Sequence, residues 1–296
     1  MSARPVIAGI GEVLWDVYPD AAHFGGAPAN FACHAASLGA EAWIVSAVGA
    51  DDLGDRALDA LRGRGVECGH VGRDLHHATG RVLVTLNAAG QASYEFAADT
   101  AWDRLAWSDE LALLAGRCDA VCFGTLGQRS PGSRDTVRRL VKATPRAALR
   151  VFDVNLRQRF YDQETIETSL QIASALKLND EELPILAELC GIYATAPREM
   201  LIELMGRYEL RLAALTRGPH GSLLVSTDEA DECPAPPTSV ADTVGAGDAF
   251  TATLVSGFLR GLPLAKINRH ANAVASFVCS QNGATPALPE NLREAF

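Results

Sequence analysis

The sequence predicts an α/β protein: a doubly wound, mostly parallel sheet flanked by helices, with a small β-sheet standing apart from it. Three observations carry this. Short apolar runs of strand length alternate with amphipathic runs of helix length, the pattern of successive βαβ units. Residues 79–96 break that alternation with two strand-like runs in succession. The 296 residues are 48 % hydrophobic and 21 % charged, an ordinary globular composition that excludes a disordered or fibrous chain. No repeat, low-complexity tract or linker divides it, so residues 1–296 are expected to make a single domain.

The elements follow in order. Val6–Ile10 is an apolar first strand. Pro28–Leu38 is a helix, with proline in its first turn and Gly39 as its stop. Ala42–Val48 is a strand and Leu53–Leu61 a helix. Thr79–Leu86 and Ala92–Phe96, joined by a short loop containing Gly90, read as an antiparallel hairpin. A hairpin that interrupts an α/β chain suits a lid or a dimer contact. Ala120–Phe123, Leu149–Val154, Ala175–Leu178, Ala213–Thr216 and Ser222–Val225 are further strands. Arg134–Val141, Ile166–Ala173, Glu181–Leu189 and Glu199–Tyr208 are helices between them, and the proline-rich Cys233–Pro237 is a loop or edge segment.

Composition also narrows the function. The net charge of −10 argues against a general binder of nucleic acid or of anionic membranes. No apolar run approaches the roughly 20 residues of a membrane helix, and the first residues lack the pattern of a signal peptide. Seven scattered cysteines form no disulfide framework, which points to the cytoplasm. Cys118 and Cys122 read as small core residues, and without an HExxH or a second ligand pair a zinc enzyme is not expected.

The most informative segment is Asp242-Thr243-Val244-Gly245-Ala246-Gly247-Asp248, followed by an apolar helix pattern. A glycine-rich turn that opens a helix presents unpaired N–H groups and the positive end of the helix dipole, which together suit a phosphate. A carboxylate beside a phosphate is repulsive, so Asp248 should face the other reactant as a general base; alternatively it is a helix cap. The absence of Gly-Lys-Ser/Thr excludes a P-loop, and the HRD and DFG sets of protein kinases are missing. Gly9-Ile10-Gly11, with Leu14 where a third glycine belongs, makes a poor dinucleotide fingerprint.

Two distant segments together resemble the PfkB/ribokinase family of carbohydrate kinases. Gly25-Gly26-Ala27-Pro28-Ala29-Asn30-Phe31-Ala32 is similar to its N-terminal signature, and Asp242 to Phe250 to its C-terminal one. Similar stretches at 11–16, 48–54, 153–157, 177–182 and 215–221 extend the likeness over nearly the whole chain. The resemblance implies a ribokinase-like fold with a lid formed by about residues 12–24 and 79–100. It implies ATP as donor, Mg2+, and a sugar hydroxyl as acceptor. It is greatest to fructokinases, with 2-keto-3-deoxygluconate kinase as the alternative. A catalytically silent sugar-binding protein on the same fold is a further alternative.

By the same resemblance Asp248 is the catalytic base, and Gly245, Ala246 and Gly247 supply the anion hole. Asp16, Gly26 and Asn30 face the sugar, and Arg157 lies near the acceptor or the transferring phosphate. For Asp16 a turn residue, for Asn30 a helix-face residue and for Arg157 a surface ion pair remain open. Lys177, one of three lysines beside 23 arginines, suits a point-charge contact to phosphate. Asn179 and Glu182 would organise Mg2+ through water, unless Glu182 is an ordinary first-turn acid. Thr216, Gly218 and Gly221 fall on the nucleotide side, Asn272 and Gly283 beside the adenine. Asp242 belongs to a loop that would hold K+. The lid would also allow a homodimer. The helix start is expected to lower the pKa of Asp248, leaving it a weak base in the ground state.

Overall fold

The computed structural model describes residues 4–86 and 92–294; the loop joining the expected hairpin lies outside them. The first strand, β1 (Val6–Ile10), is buried throughout. Two short strands follow, β2 (Leu14–Val17) and β3 (Ala22–Gly25), and then α1 (Ala27–Ser37), which has proline in its first turn. β4 (Glu41–Gly49) leads to α2 (Asp52–Arg62), whose cap Asp51 accepts the Gly54 N–H at 2.8 Å. β5 (Glu67–Asp74) is followed by β6 (Gly80–Leu86) and β7 (Ala92–Phe96).

The chain then alternates. α3 (Asp109–Arg117), β8 (Ala120–Phe123), α4 (Pro131–Ala143), β9 (Leu149–Asp153), α5 (Gln163–Ile172) and β10 (Ala175–Asn179) lead to the helix pair α6 (Glu182–Leu189) and α7 (Pro197–Tyr208). β11 (Leu212–Thr216), β12 (Ser222–Ser226) and β13 (Ala230–Cys233) finish the strands, and α8 (Ala246–Leu259), α9 (Leu264–Cys279) and α10 (Glu290–Arg293) close the fold.

Nine strands form the main sheet in the order β13-β12-β11-β10-β9-β8-β1-β4-β5. All its pairs are parallel except β11 with β12 and β12 with β13. From β1 the chain runs outward to β4 and β5, then returns to β8 and runs the other way. The order therefore reverses between β1 and β8, and open sheets bind ligands in the crevice at such a point. Side-chain alternation splits the core into two layers. Ile10, Phe123, Phe152 and Leu176 pack in one; Ile7, Cys122, Leu149, Val151 and Ala175 pack with α8 and α9 in the other. Cys118 and Cys122 are buried, as their reading as core residues required.

The strands that sequence patterning does not announce lie mostly at edges. β5 and β13 close the two ends of the main sheet, with many half-exposed or exposed side chains and so no apolar pattern. α3 was outside the expected helices too; Ser108 caps it by accepting the Leu111 N–H at 3.3 Å.

The small sheet has the order β3-β2-β6-β7, with β2 and β6 parallel and the outer pairs antiparallel. Leu14 and Val82 pack beneath it with Trp102 and Leu126. Arg129 braces it to the main body. Its guanidinium lies 4.0 Å from the Trp102 ring centre, pairs with Asp103 at 2.6 Å and donates to the Ala97 carbonyl at 2.7 Å. Arg129 and Asp103 are both buried, so removing one strands the other's charge. Arg129→Ala should therefore cost about 3–5 kcal/mol in urea unfolding. A loss below about 1 kcal/mol, the level of an exposed pair, would show that the brace carries little.

Candidate active site

The carboxyl ends of β1, β8, β9, β10 and β11 reach one edge of the sheet, and α8 begins above them. Asp153 and Lys177 occupy paired registers on β9 and β10, so both side chains point to the same face. They form a buried ion pair at 3.1 Å. Thr251 of α8 donates to the other Asp153 oxygen at 2.8 Å, which fixes the first turns of α8 over the pair. A Cβ on Gly247 would come within 3.0 Å of Lys177 Nζ, so the ammonium lies directly beneath the helix start. Burial alone would lower the Lys177 pKa; Asp153, Glu182 and Asp248 outweigh it and leave the pKa raised.

The turn before α8 is rigid. Gly245 caps the helix with φ of 79°, and a Cβ there would collide with the Ala284 backbone. The Ala284 carbonyl accepts Nε2–H of buried His34 at 2.9 Å; burial lowers the pKa of His34 to about 4, so the ring stays neutral. Asp242 accepts from the Val244 N–H at 3.0 Å and the Gly283 N–H at 3.2 Å, which ties the turn to the loop after α9. The first amides of α8, at Ala246, Gly247 and Asp248, thus lie on a fixed frame, as donors to a developing charge must.

Asp248 is not a helix cap, because Gly245 holds that position. Its Oδ2 accepts the Asn30 side-chain N–H at 2.9 Å, across 218 positions of sequence. The partner that satisfies the Asn30 side-chain N–H is thus a helix residue, not a neighbouring strand. The expected lowering of the Asp248 pKa is corrected: burial, followed by the charge of Asp153, pushes it up to about 6 despite Asn30, Lys177 and Arg157. Desolvation outweighs the helix start.

Asp16 lies on β2 opposite His23, half-buried, its pKa raised by burial against the pull of Arg157. Gly26 precedes α1. Arg157 is exposed and, among the described residues, makes no ion pair; its side chain reaches only the Leu156 carbonyl, at 3.4 Å. The surface-pair alternative is therefore not what the structure contains. Arg157 lies within a backbone twist in which Asn155 and Gln158 take φ of 43° and 48°, and its charge acts on Asp16 and Asp248.

Asn179 accepts the Glu181 and Glu182 N–H groups at 2.9 Å each and so opens α6. Buried Glu182 accepts from the Asn179 N–H at 2.8 Å and the Leu156 N–H at 2.9 Å. It locks the Arg157 loop to the end of β10, which is more than an ordinary first-turn acid does. Among the described residues no three acids, histidines or cysteines gather as a metal site. Thr216 ends β11, and Gly218 and Gly221 bracket the tight turn into β12. Asn272 is buried between α9 and β12, its amide donating to Ser222 at 2.6 Å and to the Asn268 carbonyl at 2.9 Å. Gly283 takes φ of 81° in the loop held by Asp242.

Sequence reasoning passed over Asp153 and Glu12 as site residues. The signal was present: Glu12 comes two residues after an apolar, buried strand, and Asp153 ends a mostly buried one. Thr251, inside an apolar helix, carried no such signal.

A buried carboxylate in the first turn of a helix that opens on a rigid glycine turn, near a crevice where the sheet order reverses, is an arrangement suited to a group-transfer enzyme. Residues 20–291 match the pfkB family carbohydrate kinases, and the chain belongs to that family. It is a phosphotransferase with an alcohol group as acceptor. A sugar kinase of Pyrococcus horikoshii is 31 % identical, covering 97 % of this chain and 95 % of that protein. The crystal structure of that sugar kinase in complex with ATP superposes with a TM-score of 0.82 at 29 % identity, over 98 % of this chain and 100 % of the other. A fructokinase of Klebsiella pneumoniae is 28 % identical, covering 95 % of each chain. The ribokinase-like fold is thereby shown, with its mostly parallel sheet and smaller second sheet. No helix among the described residues is long and apolar enough to cross a membrane.

The Asp153–Lys177 pair yields a direct test. Lys177→Met leaves Asp153 buried without its counter-charge, and should cost about 3–5 kcal/mol in urea unfolding. Adding Asp153→Asn should recover part of that loss. A double variant no more stable than the single one would refute the pairing energy.

Proposed function

We propose that this carbohydrate kinase transfers the γ-phosphoryl group of ATP to a primary hydroxyl of a sugar, with fructose as acceptor and O6 as the site. The observation that carries the reading is Asp248. It is a carboxylate with its pKa raised to about 6, held on one oxygen by Asn30 and seated in the first turn of a helix. Such a group is ionised at neutral pH yet basic enough to take a hydroxyl proton as the oxygen attacks phosphorus. The amides of Gly245, Ala246 and Gly247, with Lys177 beneath, stabilise the charge that develops on the transferred group. Asp16, Gly26 and Asn30 hold the sugar, whose hydroxyls both donate and accept. Thr216, Gly218, Gly221, Asn272 and Gly283 border the nucleotide.

ATP as donor is supported by the complex of the Pyrococcus relative, and fructose by the names of relatives such as the Klebsiella fructokinase. Mg2+ fits as an ion carried on the triphosphate with its own waters, since both Glu182 oxygens already accept backbone N–H groups. Glu182 and Asn179 then face that water shell rather than the ion, and the ion supplies charge neutralisation on the phosphates. A K+ loop at Asp242 would use backbone carbonyls, the Asp242 carboxylate being engaged by Val244 and Gly283. The small sheet acts as the lid that excludes water from the transfer. Leu83 on one of its faces is exposed, which supports a homodimer through the lid.

One observation favours a second acceptor. Arg157 is an exposed cation that makes no ion pair among the described residues; it lies beside Asp16 and could take the carboxylate of 2-keto-3-deoxygluconate. Release of ADP across a sugar panel, with the product's phosphate placed by phosphorus NMR, decides between the two. No release with any sugar would favour the silent-binder alternative and defeat the proposal.

Asp248→Asn should lower kcat about 10²–10⁴-fold while ATP and sugar still bind. The base must be ionised, so wild-type kcat/KM should fall as pH drops through about 6 and level off above it. Turnover near wild type in the variant, or no acid limb, would remove Asp248 as the base.

A further inference from the structure

We propose that Glu12 positions the base: it holds the first turn of α1 and, through Asn30 in that turn, it holds Asp248. The inference rests on the reading of Asp248 as the base and adds a residue outside that reading. Glu12 lies two residues past the end of β1 and is buried. Its Oε1 accepts the N–H of Ala27, the first residue of α1, at 3.2 Å. That amide is one that helix geometry leaves without a backbone partner. Less than one turn further on, Asn30 donates its side-chain amide to Asp248 at 2.9 Å. The start of α1 is therefore gripped between two carboxylates, Glu12 from β1 and Asp248 from α8. Displacing either releases Asn30, the one side chain that hydrogen-bonds to Asp248 among the described residues.

Below about pH 7 Glu12 performs this task as a neutral acid. Its Oε2 is buried with no hydrogen-bond partner among the described residues. An ionised carboxylate with a bare oxygen is costly in such a place. Burial accordingly raises the Glu12 pKa to about 7, against the pull of its own and Ala27's N–H groups. The charged or titratable groups facing it are Asp248 from α8, which raises it, and Arg157 from the loop after β9, which lowers it. Cys122 from β8 and Asp153 from the end of β9 line the same small cavity, and burial keeps the Cys122 thiol protonated. In its protonated form the clamp supports Asp248 without a further full negative charge where a phosphoryl group must arrive.

Two arms test this. In the first, kcat is measured with a sugar that the wild type phosphorylates. Glu12→Ala should lose about tenfold to a hundredfold in kcat, the scale of a misplaced catalytic group. ATP affinity should hardly change. Glu12→Gln keeps an oxygen for the Ala27 N–H and should recover most of the loss. Wild-type kcat in Glu12→Ala would overturn the clamp.

The second arm needs no activity. The folded state keeps the Glu12 proton up to about pH 7, whereas the unfolded chain releases it near the ordinary 4.5. The folded state thus binds more protons across that window, and stability is lost as pH rises through it. Glu12→Gln removes this loss, so its Tm relative to wild type should be higher at about pH 8 than at about pH 5. An equal difference at both pH values would overturn the neutral acid. A wild type inactive on every sugar would defeat the kinase reading alone, while the Tm arm would still decide the state of Glu12.

Discussion

The site is governed by one constraint: a chain of net charge −10 must receive an anion among its own buried acids. Glu12, Asp153 and Glu182 are buried, and Asp16 and Asp248 lie beside them. Two devices meet the constraint. The first is the Asp153–Lys177 pair, which sets the one buried lysine under the start of α8. There its charge adds to the positive end of the helix, on the side where amides face outward. The second is desolvation, which raises the pKa of Glu12, Asp16, Asp248 and Glu182 and so weakens the negative charge in the crevice. The acids surrounding Lys177 in turn keep it charged despite burial. Each group makes its neighbour's ionisation state tolerable, so these residues act as a set.

The fold was largely legible in sequence because strands buried on both faces have no alternative to being apolar. β1, β8 and β9 could be read within a residue of their true ends for this reason. β5 and β13 could not, because an edge strand needs neither an apolar face nor a second hydrogen-bonding partner. At the site, residues such as Asp248, Asn30 and Lys177 could be found because motif order places them, and the structure brings Asn30 and Asp248 into contact. What sequence could not supply was the sign of a pKa shift. The helix start acts along the chain and is visible there, whereas burial comes from β9, β10 and α1, which only the fold brings near. For Asp248 the invisible contribution is the larger one.

The two signature segments also divide the labour in space. Gly26 and Asn30 belong to α1 and its approach, next to the small sheet that carries Asp16. Gly245 to Asp248 belong to α8, backed by Lys177 and by the loop that Asp242 holds. On the proposed reading the first group holds the sugar and the second the triphosphate. The Asn30–Asp248 hydrogen bond is then the seam between acceptor side and donor side. A base at that seam can see the sugar hydroxyl only when α1 is seated, and the phosphorus only when α8 is. Placing it there makes reaction conditional on both halves being in register. That condition also guards against hydrolysis, because water bound without the sugar is held by neither half in line with the leaving group.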